Sequence, residues 1–356
     1  MVKVLQIGMC EKGGVETLIL NHYNQIDLEQ YSFDFVRMIE HIAYEREIES
    51  LGGHIYSVAN SRKSPLCSLY EIRNLITKNG YDVVHIHISH FADIVPLLAA
   101  KISGCKHIIL HAHNNGMEGR LQSKLHALNR LITSQMKIQR LACSKSAGKW
   151  MFGKASFDIF ENAIPTHLFY YNEKMRKKMR KDLNLSDDSF VIGTVGRLDP
   201  QKNQSFLIHT FAQYVRTNPN AYLLIVGSGA LEGQLHRLVY NLDLGSKVIF
   251  TGFQEAVAPY YQAMDAFCLP SLYEGFGIAG IEAQMSGLPC IFSKFCVDEV
   301  DISQKSIFLL LDEISWVNQL EQIQLQQNQW DRNIYPSGYD VKENVKKLEK
   351  LYSKRI

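Results

Sequence analysis

Residues 270–293 read PSLYEGFGIAGIEAQMSGLPCIFS, and the rest of the chain is best understood outward from this stretch. An apolar run at 266–269 precedes it and predicts a strand. Gly275 and Gly277 open a tight loop, residues 278–285 carry a helical pattern, and Gly287-Leu288-Pro289 stops that helix before the next strand. The unit is βαβ, with a helix that begins inside a glycine-rich loop. Such a helix start offers unpaired backbone N–H groups and the positive end of the dipole, which suits a diphosphate. Glu274 and Glu282 bracket the loop, and carboxylates accept hydrogen bonds from sugar or ribose hydroxyls. Taken alone, the two read more simply as a solvated loop residue and a helix-surface glutamate. The surrounding chain decides against that.

Short apolar runs alternate with helical patterns almost throughout. Strands are predicted at 2–8, 33–36, 55–58, 83–87, 107–110 and 141–144, with amphipathic stretches between most of them. This alternation argues for an α/β fold with a parallel sheet covered on both faces. It breaks at 165–188, a polar and highly charged stretch, and restarts with a strand at 191–195, a helix at 204–216, a strand at 222–226, a helix at 231–241 and a strand at 248–250. Two doubly wound halves, 1–168 and 169–335, are therefore expected, with the ligand in a cleft beyond the strand ends. A last helical pattern at 341–352 follows Pro336 and Gly338.

At 356 residues the chain is long for one domain, and 46% hydrophobic with 21% charged residues is an ordinary soluble composition. A net charge of +2 gives no electrostatic case for nucleic acid. The seven cysteines (Cys10, Cys67, Cys105, Cys143, Cys268, Cys290, Cys296) form no C-x-x-C pair, so buried thiols are expected rather than disulfides or zinc ligands. Met1-Val2-Lys3 leads straight into a strand, leaving no room for a signal peptide, and no apolar run approaches a membrane span. A cytoplasmic protein is expected.

The spacing of Glu274 and Glu282 resembles the E-x7-E signature of retaining glycosyltransferases of the GT-B fold, family 4. The resemblance implies two Rossmann-like domains facing a central cleft, with 336–356 crossing back to the N-terminal domain. It assigns Glu274 to the donor sugar, Glu282 to the nucleotide ribose, and Phe276, Gly277 and Ile278 to the phosphates. Further matches extend it over essentially the whole chain. Gly196-Arg197-Leu198 with Lys202 is similar to the G-R-x(4)-K element, whose two cations neutralise the departing diphosphate; as residues, Arg is a fork and Lys a point charge in one strand-to-helix loop, equally readable as plain loop cations. Gly13-Gly14-Val15-Glu16 matches the G-G-x-E loop that approaches the phosphates from the other domain. Gly227-Ser228-Gly229 fits the family's G-x-G turn; the next glycine, Gly233, falls one position late for a dinucleotide fingerprint.

Histidines crowd one region: His85, His87, His90, His107, His111 and His113. Alternation along a strand puts His85 and His87 on one face, and His111 and His113 likewise. A zinc site is set aside because the nearby carboxylates and cysteines complete no recognised ligand spacing. By resemblance His87 lies near the cleft and His113 lines the sugar site, with Asn114 and Asn115 following. Two departures stand out. Pro165 replaces a common aspartate, and after Ser293 the usual Gly-and-Glu loop is absent.

The resemblance thus implies a metal-independent, retaining glycosyltransferase. His113, Arg197, Lys202 and Glu274 would be catalytic, and Gly13, Gly14, Gly196, Phe276, Gly277, Ile278 and Glu282 would complete the donor site. No D-x-D triplet occurs, and no cofactor is expected beyond the nucleotide diphosphate sugar itself. The acceptor would be a glycan or lipid-linked hydroxyl in bacterial exopolysaccharide or capsule synthesis. Two other classes stay open: a nucleotide-sugar epimerase of the same fold, and a non-catalytic partner subunit. An anionic surface on the inner face of the membrane is the remaining candidate partner. Residues 120–140 combine Arg120, Lys124, Arg130, Lys137 and Arg140 with Leu121, Leu125, Leu128, Leu131 and Ile132, and Lys174, Arg176, Lys177, Lys178, Arg180 and Lys181 add to it.

Overall fold

The computed structural model describes residues 1–11, 13–116 and 119–354. The chain divides into two compact units: Met1–Ile164 with the segment from Tyr339 onward, and Pro165–Gly338. The first contains β1 (Val2–Ile7), α1 (Gly14–Tyr23), β2 (Tyr31–Arg37), α2 (Glu45–Ser50), β3 (Ile55–Ser57), α3 (Pro65–Asn79), β4 (Val83–Ile88), α4 (Val95–Ile102), β5 (His107–Ala112), α5 (Arg120–Ser134), β6 (Gln139–Ala142), α6 (Lys145–Phe152) and β7 (Asp158–Ile159). The second contains α7 (Glu173–Asp182), β8 (Phe190–Val195), α8 (Gln204–Thr217), β9 (Ala221–Val226), α9 (Glu232–Asn241), β10 (Val248–Phe250), α10 (Ala258–Ala263), β11 (Ala266–Leu269), α11 (Ile278–Met285), β12 (Cys290–Ser293), β13 (Ile307–Leu309) and α12 (Glu313–Leu325). The last helix, α13 (Val341–Tyr352), belongs to the first unit.

Both sheets are parallel. Their orders are β3-β2-β1-β4-β5-β6-β7 and β10-β9-β8-β11-β12-β13. Each order reverses direction once, at β1/β4 and at β8/β11, and the loops leaving those strand ends diverge to open a crevice. The loops that matter leave these strands: Gly13-Gly14 after β1, His113 after β5, Arg197 and Lys202 after β8, Glu274 after β11.

Side chains alternate across each sheet, so the first unit has two apolar layers. Val4, Phe33, Phe35, Val83 and Ile109 pack with Ile19 and Tyr23 of α1 and with Val345, Leu348 and Tyr352 of α13. Leu5, Val36, Val84, Ile86, Ile108 and Leu110 pack with Ile72, Ile76 and Leu97 of α3 and α4. The strand expected at 141–144 lies two residues earlier, because Ser144 caps α6 by accepting the Ala147 N–H at 3.1 Å.

The charged stretch at 165–188 that interrupts the alternation contains a packed helix, α7. Arg180 is fully buried, and both Arg180 and Arg176 reach Asp265 at 2.5 Å. Asp265 also accepts the Val191 N–H at 2.8 Å, and Arg180 donates to the carbonyls of Ala263, Ser186, Asp187 and Ser189. Two of the cations assigned to a basic surface are therefore internal braces.

Candidate active site

In the second unit the loops after β8 and β11 are stitched together. The Leu272 N–H donates to the Gln201 carbonyl at 2.8 Å, and the Gln201 side-chain amide to the Tyr273 carbonyl at 3.0 Å. Across this seam Glu274, 5% exposed, accepts from Lys202 Nζ at 2.5 Å and from Ser271 Oγ at 2.7 Å. Asp199 organises the cations: one oxygen accepts the Lys202 backbone N–H at 3.1 Å, and the other pairs with the exposed Arg197 guanidinium at 3.1 Å. Lys202 and Glu274 are thus in contact, while Arg197 reaches outward on Asp199.

Gly277 sits in the left-handed region (φ 76°) at the start of α11, which only glycine adopts cheaply, so the chain turns from the Glu274 loop directly into the helix. Phe276 is buried beneath this turn and Ile278 is half-buried. One turn further, Glu282 is buried and accepts the Tyr261 hydroxyl at 2.7 Å. Burial lifts its carboxyl to about 7, against the Tyr261 hydrogen bond and the Lys202 charge, which pull it back. The Gly227 turn packs so tightly on Gly196 that a Cβ at Gly227 would meet the Gly196 carbonyl oxygen at 2.0 Å.

In the first unit Gly13 precedes α1 and Gly14 begins it. Glu16, buried, accepts the Cys10 N–H at 2.9 Å and so ties the glycine loop to the end of β1; a Cβ at Gly13 would stand 2.6 Å from Glu16 Oε2. His113 extends β5, its N–H donating to the Ile88 carbonyl at 3.1 Å. Its ring lies 4.1 Å from His111 and 5.1 Å from His87, centroid to centroid, and the His85 and His87 rings are 4.2 Å apart. Burial holds all four imidazoles well below their ordinary pKa, hence neutral.

One nitrogen from each of His85, His87 and His111 lies within 4.8 Å of the others. A metal ion needs nitrogens at 2.0–2.1 Å, each approached in its ring plane. The His85 ring instead lies near-parallel to those of His87 and His111, at 26° and 14°, so their in-plane lone pairs run side by side rather than converging. His85, His87 and His113 spend ring nitrogens on hydrogen bonds instead.

Ser271, Asp199 and Tyr261 in one unit, and Gln6 and Tyr352 in the other, escaped the sequence reading. Tyr261, Gln6 and Tyr352 act on residues distant in the chain. Ser271 and Asp199 act within three residues, on Glu274 and on Lys202 and Arg197, but a serine or aspartate in a loop announces no such role.

Residues 175–305 match the family of glycosyl transferases group 1. The chain is 31% identical over 302 residues to the putative glycosyltransferase EpsF of Bacillus subtilis, covering 82% of this chain and 78% of that one. It is 26% identical over 306 residues to an Escherichia coli UDP-Gal:alpha-D-GlcNAc-diphosphoundecaprenol alpha-1,3-galactosyltransferase, covering 80% and 78%. Among solved structures, Anabaena HepE in complex with UDP and glucose matches with a TM-score of 0.78 at 18% identity, over 99% of this chain and 100% of that one. That likeness establishes the fold as GT-B.

Proposed function

The chain belongs to the group 1 glycosyl transferases and is a glycosyltransferase, and from that premise we propose a specific reaction for it. It moves a sugar, with retention at the anomeric carbon and without a metal ion, from a nucleoside diphosphate sugar to a hydroxyl of a glycan or lipid-linked acceptor in surface-polysaccharide synthesis. The observation that carries this reading is the Lys202–Glu274 contact, which sets a cation and a hydrogen-bond acceptor side by side at the β8/β11 switch point.

Lys202, with Arg197 and the first N–H groups of α11, takes the charge that grows on the diphosphate as its bond to the sugar breaks. Glu274 holds sugar hydroxyls and Glu282 the ribose. No side-chain nucleophile is required: the acceptor attacks on the face the diphosphate leaves, and the departing phosphate oxygen takes the acceptor's proton. His113 hydrogen-bonds a substrate hydroxyl, and Gly13 and Gly14 admit phosphate close to backbone. The E. coli relative, named for transfer from UDP-Gal to a diphosphoundecaprenol-linked sugar, supports a UDP-sugar donor and a lipid-linked acceptor. Among the described residues no helix is long and apolar enough to cross a membrane. We place the enzyme peripherally, on the cytoplasmic leaflet, because the acceptor proposed for it is lipid-linked.

The test is a panel of nucleotide sugars screened by thermal shift, then transfer to a diphosphoundecaprenol-linked sugar in excess chelator, with the product anomer assigned by NMR. Retention and chelator resistance are expected. An inverted product overturns the stereochemistry, a metal-reversible loss overturns metal independence, and an epimer formed from donor alone overturns transfer.

A further inference from the structure

Five buried side chains from β1, β4, the end of β5 and α13 form one hydrogen-bonded chain. Gln6 Nε2 donates to Tyr352 Oη at 3.2 Å, and Gln6 Oε1 lies 2.9 Å from His87 Nε2. His87 Nδ1 lies 2.9 Å from His113 Nε2, and Tyr352 Oη also meets His85 Nδ1 at 2.8 Å. At the far end His113 Nδ1 is buried with no hydrogen-bond partner.

The chemistry of each group fixes where the protons lie. An amide oxygen only accepts, so His87 must carry its proton on Nε2. A neutral imidazole has one N–H, so His87 Nδ1 is a lone pair and can only accept from His113. His113 must then carry its proton on Nε2, which leaves Nδ1 as a bare acceptor. With the Gln6 amide as placed, Tyr352 Oη accepts its N–H and is free to donate to His85 Nδ1. Reversing the Gln6 amide would reverse every link and turn His113 Nδ1 into a donor.

We propose that Gln6, held by Tyr352, is a positioning residue that acts through His87 to present His113 Nδ1 as a hydrogen-bond acceptor for a substrate hydroxyl. This rests on the transferase reading above for its purpose, but not for its test. An unpaired buried nitrogen is costly to leave unmade, and a hydroxyl donating to it recovers that cost on binding.

The tautomer of His113 is read directly by NMR on the full chain carrying 15N-labelled histidine. In the wild type His113 is protonated on Nε2. Gln6→Met, which removes the acceptor at nearly constant volume, and Tyr352→Phe, which frees the amide to turn, both give a mixture of tautomers; Gln6→Glu keeps an acceptor in place and restores Nε2–H. Transfer follows the same order, with kcat/KM falling about ten-fold in Gln6→Met, the worth of one hydrogen bond, and recovering in Gln6→Glu. Should Gln6→Met not fold, Tyr352→Phe on the terminal helix carries the same test. His113 protonated on Nδ1 in the wild type, or a tautomer indifferent to both variants, overturns the proposal. A wild type with the expected tautomer and no transferase activity overturns the proposed reaction instead.

Discussion

Lys202 Nζ and Glu274 Oε1 stand 2.5 Å apart across the seam between the β8 and β11 loops, with Glu274 buried and Lys202 largely so. The contact locks two flexible side chains before any substrate arrives, so less ordering is left for the binding step. A lysine has three donors, and among the described residues Glu274 is the side chain that engages this one. In the proposed reaction the other donors serve phosphate oxygens and the remaining Glu274 lone pairs serve the sugar.

The two residues should therefore fail together. Lys202→Met and Glu274→Gln are each expected to lower kcat by about 10² to 10³, the usual loss when a preorganised charge partner is removed. The double variant should be little worse than the poorer single one, because either change dissolves the same unit. Lys202→Met should also destabilise the fold by about 3 kcal/mol, since it strands a buried carboxylate. Additive losses in the double-mutant cycle would show that the two act separately.

Glu282 gives the enzyme a pH dependence of its own. Its folded pKa of about 7 stands above the ordinary 4.5, so its contribution to stability is complete below 4.5 and is lost as pH rises through 7. The proposed ribose contact would have the opposite sign, because the ionised carboxylate is the better acceptor. Affinity for UDP, measured by titration calorimetry, should rise between about pH 6 and pH 8, and Glu282→Gln should abolish the rise. A wild-type Kd that ignores pH in this window would remove Glu282 from the ribose contact.

The helices at 278–285 and 341–352 and the strands at 248–250 and 266–269 stand in the structure as the sequence predicts them. Each is either a short buried run bounded by glycine or proline, or a strongly periodic helix. What escaped is long-range and polar. Arg176 and Arg180 read as solvated charge because their partner, Asp265, lies 89 and 85 residues away. Glu274 and Lys202 were legible as motif members, yet their mutual contact depends on how two loops fold across each other. The histidine stack was visible as a pattern on two strands, but Gln6 and Tyr352 come from opposite ends of the chain.

That stack should make the first unit sensitive to acid. Burial lowers His22 to about 4 and holds His85, His87, His111 and His113 well below their ordinary range. A depressed base stabilises the fold fully above its unfolded pKa of 6.5, and the contribution is lost as pH falls below that value. Each such histidine adds up to ~1.4 kcal/mol per pH unit to the slope. Hydrogen exchange of the β4 and β5 amides should accelerate steeply between about pH 6.5 and pH 5.5, after correction for intrinsic rates. His111→Phe removes one buried, neutral imidazole and should flatten the slope by about one proton; an unchanged slope would mean that His111 is already charged in the folded state.

The membrane surface proposed for this chain reduces to one helix face. In α5 only His126 and Thr133 are buried, with His126 stacked on Trp150 at 4.3 Å. Leu121, Leu125, Leu128 and Ile132 follow one another at helical spacing on the solvent side, with Leu131 beside them, 69% exposed. Not all the cations expected there are free: Arg140 donates to the carbonyls of Thr133, Ser134 and Met136, and Arg130 to that of Trp150. Arg120, Lys124 and Lys137 remain exposed, each contributing about 1 kcal/mol toward anionic lipid, so the aliphatic row must supply the rest. Sedimentation with phosphatidylglycerol vesicles should show binding that weakens with salt and is lost when Leu121, Leu125 and Leu128 are changed to Gln. Changing Lys174, Lys177, Lys178 and Lys181 to Gln should have little effect, because α7 leaves no comparable apolar row exposed. A wild type that ignores these vesicles at low salt, or a triple variant that still sediments, removes the face from lipid.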